Sequence, residues 1–95
     1  MTISEKVKLK PKGSDSSSES LSEEMILVLY NDDVNSFEFV IETLIEVCEH
    51  QPEQAEQCAF ITHTKGKCDI KKGTFTKLKP MKETLVLKGL SVVIE

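Results

Sequence analysis

From Met25 onward the chain alternates between short apolar runs and stretches where apolar residues recur every three or four positions. "MILVLY" (25–30) is a continuous apolar run closed by the turn-forming "NDD", the signature of a short buried strand. Phe37, Val40, Ile41, Leu44, Val47 and Cys48 then fall on one helical face, predicting a helix to about Glu49. At its start Asn35 reads as the N-cap, with Glu38 completing a capping box and Val34 stapling to Phe39. "HQ" makes the next turn, and Pro52 suits the first position of a second helix, whose Glu53 and Glu56 complement its dipole. That helix is expected to reach Lys65 and stop at Gly66, with Phe60 and Ile61 in the core. Lys67–Lys72 alternates as a second strand, Cys68 and Ile70 on one side, and Gly73 breaks it.

A third helix, capped by Thr74 or Thr76, turns Leu78, Met81, Leu85 and Val86 inward, with Pro80 removing one backbone bond. Gly89 ends it, and "LSVVI" forms the closing strand. The order is β-α-α-β-α-β: an α+β fold, one small domain with a three-stranded sheet and the helices packed on one face. Residues 1–24 have another character. "PKGSDSSSESLSEE" is too poor in apolar residues to offset the entropy of ordering, so a disordered tail is expected before a domain spanning 25–95.

Bulk properties narrow the function. Ninety-five residues support one core, not two. The longest apolar runs fall far short of a membrane span, and no signal-like stretch follows the N-terminal lysines, so a cytoplasmic protein without a membrane partner is expected. A net charge of −4 and a complete lack of arginine argue against nucleic acid. Cys48, Cys58 and Cys68 form no C-x-x-C pair, and with His50 and His63 they match no zinc spacing. No metal or other cofactor is expected. With no nucleophile–base pair and no glycine-rich phosphate loop, neither is an enzyme.

The candidate chemistry sits at the corner after the first strand. Asn31, Asp32, Asp33 and Asn35 exceed what one turn and one cap require. The surplus can face water, bind a metal through Asp32 and Asp33, or hold a positively charged partner; a metal would lack a third carboxylate. Separately, Ala59, Thr62 and His63 share one helical face at i, i+3 and i+4. A small residue, a β-branched residue and a ring nitrogen side by side describe a pocket wall.

"LYNDD", then "EFV", then "PEQAEQ" and "H-x-x-GK" (His63, Gly66, Lys67) resemble ClpS, the bacterial adaptor family that delivers N-degron substrates to a Clp protease. The resemblance covers about residues 25–95 and implies the same β-α-α-β-α-β fold. It implies capture of proteins whose first residue is Phe, Leu, Tyr or Trp, and their delivery to a Clp AAA+ unfoldase, ClpA-like or ClpC-like, by an adaptor with a flexible N-terminal extension; nothing in the sequence demands more than a monomer, which is the expected state. On this resemblance Asn31, Asp32 and His63 hold the free α-amino group, while Asn35, Phe37, Val40, Thr43, Ala59 and Thr62 form the hydrophobic pocket. Asp33 is left as a turn residue. Departures are specific: Phe37 stands where many members have methionine, Ser36 where proline is usual, and Ala59 and Thr62 where a larger residue and a valine are usual. They imply a wider, slightly more polar pocket. The alternative is a structural interaction module like the C-terminal domain of the ribosomal stalk, which would leave "NDD" and His63 without a shared task.

Overall fold

The computed structural model describes residues 23–95; the tail expected over 1–24 lies almost wholly outside them. The described chain runs β1 (Glu24–Tyr30), α1 (Phe37–Cys48), α2 (Pro52–Lys65), β2 (Lys67–Thr74), α3 (Phe75–Leu87) and β3 (Ser91–Ile94). Glu24 thus already belongs to the sheet. The most apolar strand, β1, takes the centre, with β2 and β3 antiparallel on either side. Alternation sends Leu27 and Leu29 to the same face. There they meet Leu44 and Cys48 of α1, Ala55 and Cys58 of α2, and Leu78 and Leu85 of α3. Each such leucine contributes about 1.5–3 kcal/mol by leaving water.

Strand β2 is longer than its sequence suggests. Lys71 pairs with Leu27 and Asp69 with Val28, so Ile70 is the extra residue of a bulge, and it is buried. The bulge aims the Ile70 carbonyl at His50, whose Nε2 lies 2.7 Å away. His50, expected in the turn, is therefore part of the interior. Gly73 does not break the strand either: it pairs with Met25. A Cβ there would meet Cδ of Lys77 at 3.0 Å, a contact that the exposed, flexible lysine side chain can relieve by shifting.

The helices differ from expectation where neighbours decide. Helix α2 packs through a narrow face of small residues, Ala55, Cys58, Ala59 and Thr62, which turns Phe60 out to 58% exposure rather than into the core. Val86 likewise faces solvent while Leu85 turns in. Helix α3 is capped by Thr74, whose Oγ1 accepts from the backbone N–H of Lys77. Pro80 lies inside it, leaving the carbonyl of exposed Thr76 to water. Lys71 reaches from β2 to donate to the Cys48 carbonyl at the end of α1 (2.9 Å), satisfying an acceptor the helix cannot.

Candidate functional site

The corner between β1 and α1 is built around Asp32. Its Oδ1 accepts from the backbone N–H of Val34 (2.9 Å) and of Asn35 (3.0 Å), closing an Asx turn. The helix itself is capped one residue later than expected. Ser36, not Asn35, is the N-cap, and its hydroxyl accepts from Phe39 N–H at 3.1 Å. The turn consumes the Asn35 N–H and leaves its side chain free to reach elsewhere. Val34, 87% exposed, staples nothing, and Glu38 only adds a favourable charge to the first turn.

The Asn35 Nδ2 donates to the Gly89 carbonyl at 2.8 Å and to both Asp32 oxygens, at 3.1 Å (Oδ2) and 3.3 Å (Oδ1). Partial burial alone would raise the Asp32 pKa. Hydrogen bonds from the backbone of Asn35 and Val34 and from the Asn35 side chain, with the smallest contribution from the nearby Ser91 hydroxyl, outweigh it and hold the carboxyl below its ordinary value. Asp32 is therefore a carboxylate at neutral pH. Its Oδ1 takes three donors, whereas among the described donors only the Asn35 amide is seen on Oδ2 at hydrogen-bond distance. Oδ2 retains room for another.

Register brings the second helix to this corner. Tyr30 pairs with Lys67, and the next amide along, that of Asn31, donates to the Gly66 carbonyl at 2.9 Å. Gly66 ends α2 in the left-handed region (φ 99°), where its own N–H returns to Thr62. His63, three residues before Gly66, is thereby carried to the exit of β1. Its ring is exposed and makes no hydrogen bond among the described residues. On the other side Tyr30 pairs with Ser91, which places Leu90 against the same corner.

These segments enclose an open cavity of about 430 Å³. Asn31, Asp32 and His63 line it together with Asn35, Phe37, Val40, Ala59 and Thr62. Polar groups gather at the strand exit and apolar ones along the facing sides of α1 and α2. Thr62 donates its hydroxyl to the Cys58 carbonyl (2.8 Å), so its hydrogen is already committed. Phe37, at 42% exposure, stands half in solvent. Thr43 differs from the other expected pocket residues: it is buried in α1 and does not line the cavity. Asp32, Asp33 and His63 share the cavity, but among the described residues no three metal-ligating groups converge.

The family model for "ATP-dependent Clp protease adaptor protein ClpS" matches residues 21–92. The chain belongs to the ClpS family. Among solved structures it is similar to ClpS2 of Agrobacterium tumefaciens bound to L-phenylalaninamide, with a TM-score of 0.66 and 21% sequence identity. That likeness covers 78% of this chain and 96% of the other, and it bears on the fold. No curated protein matches.

In this ClpS-family chain the cavity also draws on Leu29, Tyr30, Asp33 and Leu90, which the sequence reading did not assign to a pocket. Leu90 was the hardest to foresee. It reaches the site only because β3 pairs with β1, a contact between residues more than sixty positions apart. A signal did exist in Gly89, whose φ of 94° turns the chain directly before Leu90. Tyr30 sits at the rim, its hydroxyl donating to Glu95 and its ring 5.9 Å from the Lys67 ammonium.

Proposed function

We propose that this chain captures polypeptides by a free N-terminal residue with a bulky hydrophobic side chain and passes them to a ClpA-like or ClpC-like unfoldase. The observation that carries the reading is the sharing of one cavity by Asn31, Asp32 and His63 with the apolar faces of Phe37, Val40 and Leu90. The ligand reported for the Agrobacterium relative, L-phenylalaninamide, has the chemistry this arrangement suits.

An α-amino group with a pKa near 7.7–8.0 is mostly a cation with three N–H donors at neutral pH. An amide oxygen (Asn31), a carboxylate oxygen (Asp32 Oδ2) and a neutral imidazole nitrogen (His63) are three matching acceptors. Charge-assisted bonds of this type contribute roughly 1.5–3 kcal/mol each. Burial of a Phe or Leu side chain in the apolar part adds about 1.5–3 kcal/mol. After the cost of association the sum corresponds to micromolar binding, about −8 kcal/mol. An acetylated or internal residue brings neither the charge nor the three donors, and that difference is the basis of selection. In this reading the adaptor works as a monomer, and residues 1–24 serve delivery by engaging the unfoldase.

An anisotropy titration with a labelled peptide beginning in free Phe, beside its N-acetylated twin, tests the capture step. The free peptide is expected to bind at least 100-fold more tightly. Equal affinities would end the proposal.

A further inference from the structure

We propose that Asn35 is a positioning residue of the amine site: its side-chain amide ties the Asp32 carboxylate to the Gly89 carbonyl, so that the α3–β3 turn aims Oδ2 into the cavity. The inference rests on the capture reading above for its consequence, and on the observed hydrogen bonds for its substance.

The argument begins with what an amide nitrogen can do. Nδ2 carries two hydrogens in a fixed plane. One is spent on the Gly89 carbonyl at 2.8 Å, and the other is divided between Asp32 Oδ2 at 3.1 Å and Oδ1 at 3.3 Å. A serine or threonine hydroxyl has a single hydrogen and serves one of these partners at a time. Because Ser36 caps α1, Asn35 is not needed for the helix start.

The anchor at the far end is rigid. Gly89 takes a positive φ of 94°, its N–H bonds to Val86, and the Leu90 N–H bonds to Leu85, which closes the end of α3. Buried Leu90 follows at once and lines the cavity. A single amide thus joins the carboxylate of the amine grip to the turn that seats part of the apolar pocket. Without the tether, the two Oδ1 bonds to the backbone still close the turn, but the carboxylate keeps only the weaker pull of the Ser91 hydroxyl against rotation about them. The charge remains and its direction is lost. Gly89 is exposed, so water replaces the lost donor and the fold survives.

The titratable and charged groups lining the cavity here are Tyr30 at the end of β1, Asp32 and Asp33 on the corner and His63 on α2. Two readouts follow. Asn35→Ala and Asn35→Thr are expected to weaken binding of the free-Phe peptide about tenfold, and Asn35→Asp, which sets oxygen against oxygen, more than either. Carbon-detected NMR titration of the Asp32 carboxyl without ligand is expected to move its pKa upward in the Ala and Asp variants, because a donor has gone. Thr is expected to restore part of that movement. A purely structural role would lower the melting temperature while leaving both the Asp32 titration and the affinity of the folded protein unchanged. Affinity within twofold of the wild type in Asn35→Ala, or an unmoved Asp32 titration in Asn35→Asp, would overturn the assignment. If the wild type fails to prefer the free peptide, the capture reading falls, and the Asp32 titration alone then decides whether Asn35 positions the carboxylate.

Discussion

Two corners of this molecule do the same structural job with very different equipment. Between β2 and α3, Thr74 ends the strand and caps the helix by accepting from Lys77 N–H, and nothing else is needed. Between β1 and α1 the chain uses Asn31, Asp32, Asp33, Asn35 and Ser36, of which Ser36 alone is the cap. The plain corner shows what a strand-to-helix turn costs in sequence. The excess in the other corner is therefore not explained by turning. Its carboxylate is held ionised by convergent donors, and its side chains line a cavity beside His63.

If that excess serves a ligand, alanine should act differently at the two corners. Asp32→Ala removes a charge-assisted bond and the turn that organises Asn35, and is expected to weaken peptide binding on the order of 100-fold. Thr74→Ala, as small a deletion, is expected to leave the dissociation constant within twofold. Paired anisotropy titrations measure both. Comparable losses would mean that binding depends on overall stability and not on this corner.

The pH response should separate the corners too. Above the pKa of the ligand amine the cation disappears, so affinity is expected to fall about tenfold per unit beyond roughly pH 8. On the acid side the sign is set by Asp32. Its folded pKa is lowered, so its stabilising contribution is complete above its ordinary carboxyl value. That contribution is lost as pH falls through the lowered one. Asp32→Asn is expected to flatten part of the acid-side loss seen in urea melts between about pH 5 and 2. Thr74 itself does not titrate, and Thr74→Ala should keep the wild-type slope.

In their structural role alone the two corners should look alike. Ser36→Ala and Thr74→Ala each remove one N-cap acceptor, and each is expected to cost about 1 kcal/mol in urea denaturation. A much larger cost at Ser36 would show that the cap is coupled to the Asp32–Asn35 network above it.

What was legible in the sequence follows from the range of the interactions. Local pattern decided the elements: the run 25–30, the helical face from Phe37 to Cys48, Pro52 at the start of α2 and Gly66 at its end all hold in the structure. The fold and the association of Asn31, Asp32 and His63 in one cavity were reachable from pattern and motif together. Two neighbouring hydrogen-bonding residues defeated the cap assignment, because Asn35 and Ser36 are both good N-caps and the choice is made by Gly89, fifty-four residues away. The same limit hid Leu90 from the pocket and made Gly73 look like a strand breaker, when pairing with Met25 keeps it in β2. Thr43 shows the reverse difference. A position inferred from resemblance is buried in α1, one turn beyond Val40, and is not among the residues that line the cavity.

The smallest effect is expected at Asp33, and it sharpens the comparison most finely. Asp33 lines the cavity yet, among the described residues, makes no hydrogen bond of its own. Asp33→Asn keeps its size and removes its charge, so any effect is Coulombic. For solvent-exposed charges such effects amount to about 0–1 kcal/mol, a loss of affinity of less than about fivefold at low ionic strength. At 0.5 M salt the Debye length is well under 10 Å and the difference should vanish. The large loss expected from Asp32→Ala should persist there, because it depends on a hydrogen bond with fixed direction rather than on the field of a nearby charge. If Asp33→Asn instead matched Asp32→Ala at high salt, the two carboxylates would be acting as one site. The corner's surplus would then be a negatively charged patch, not a directed grip.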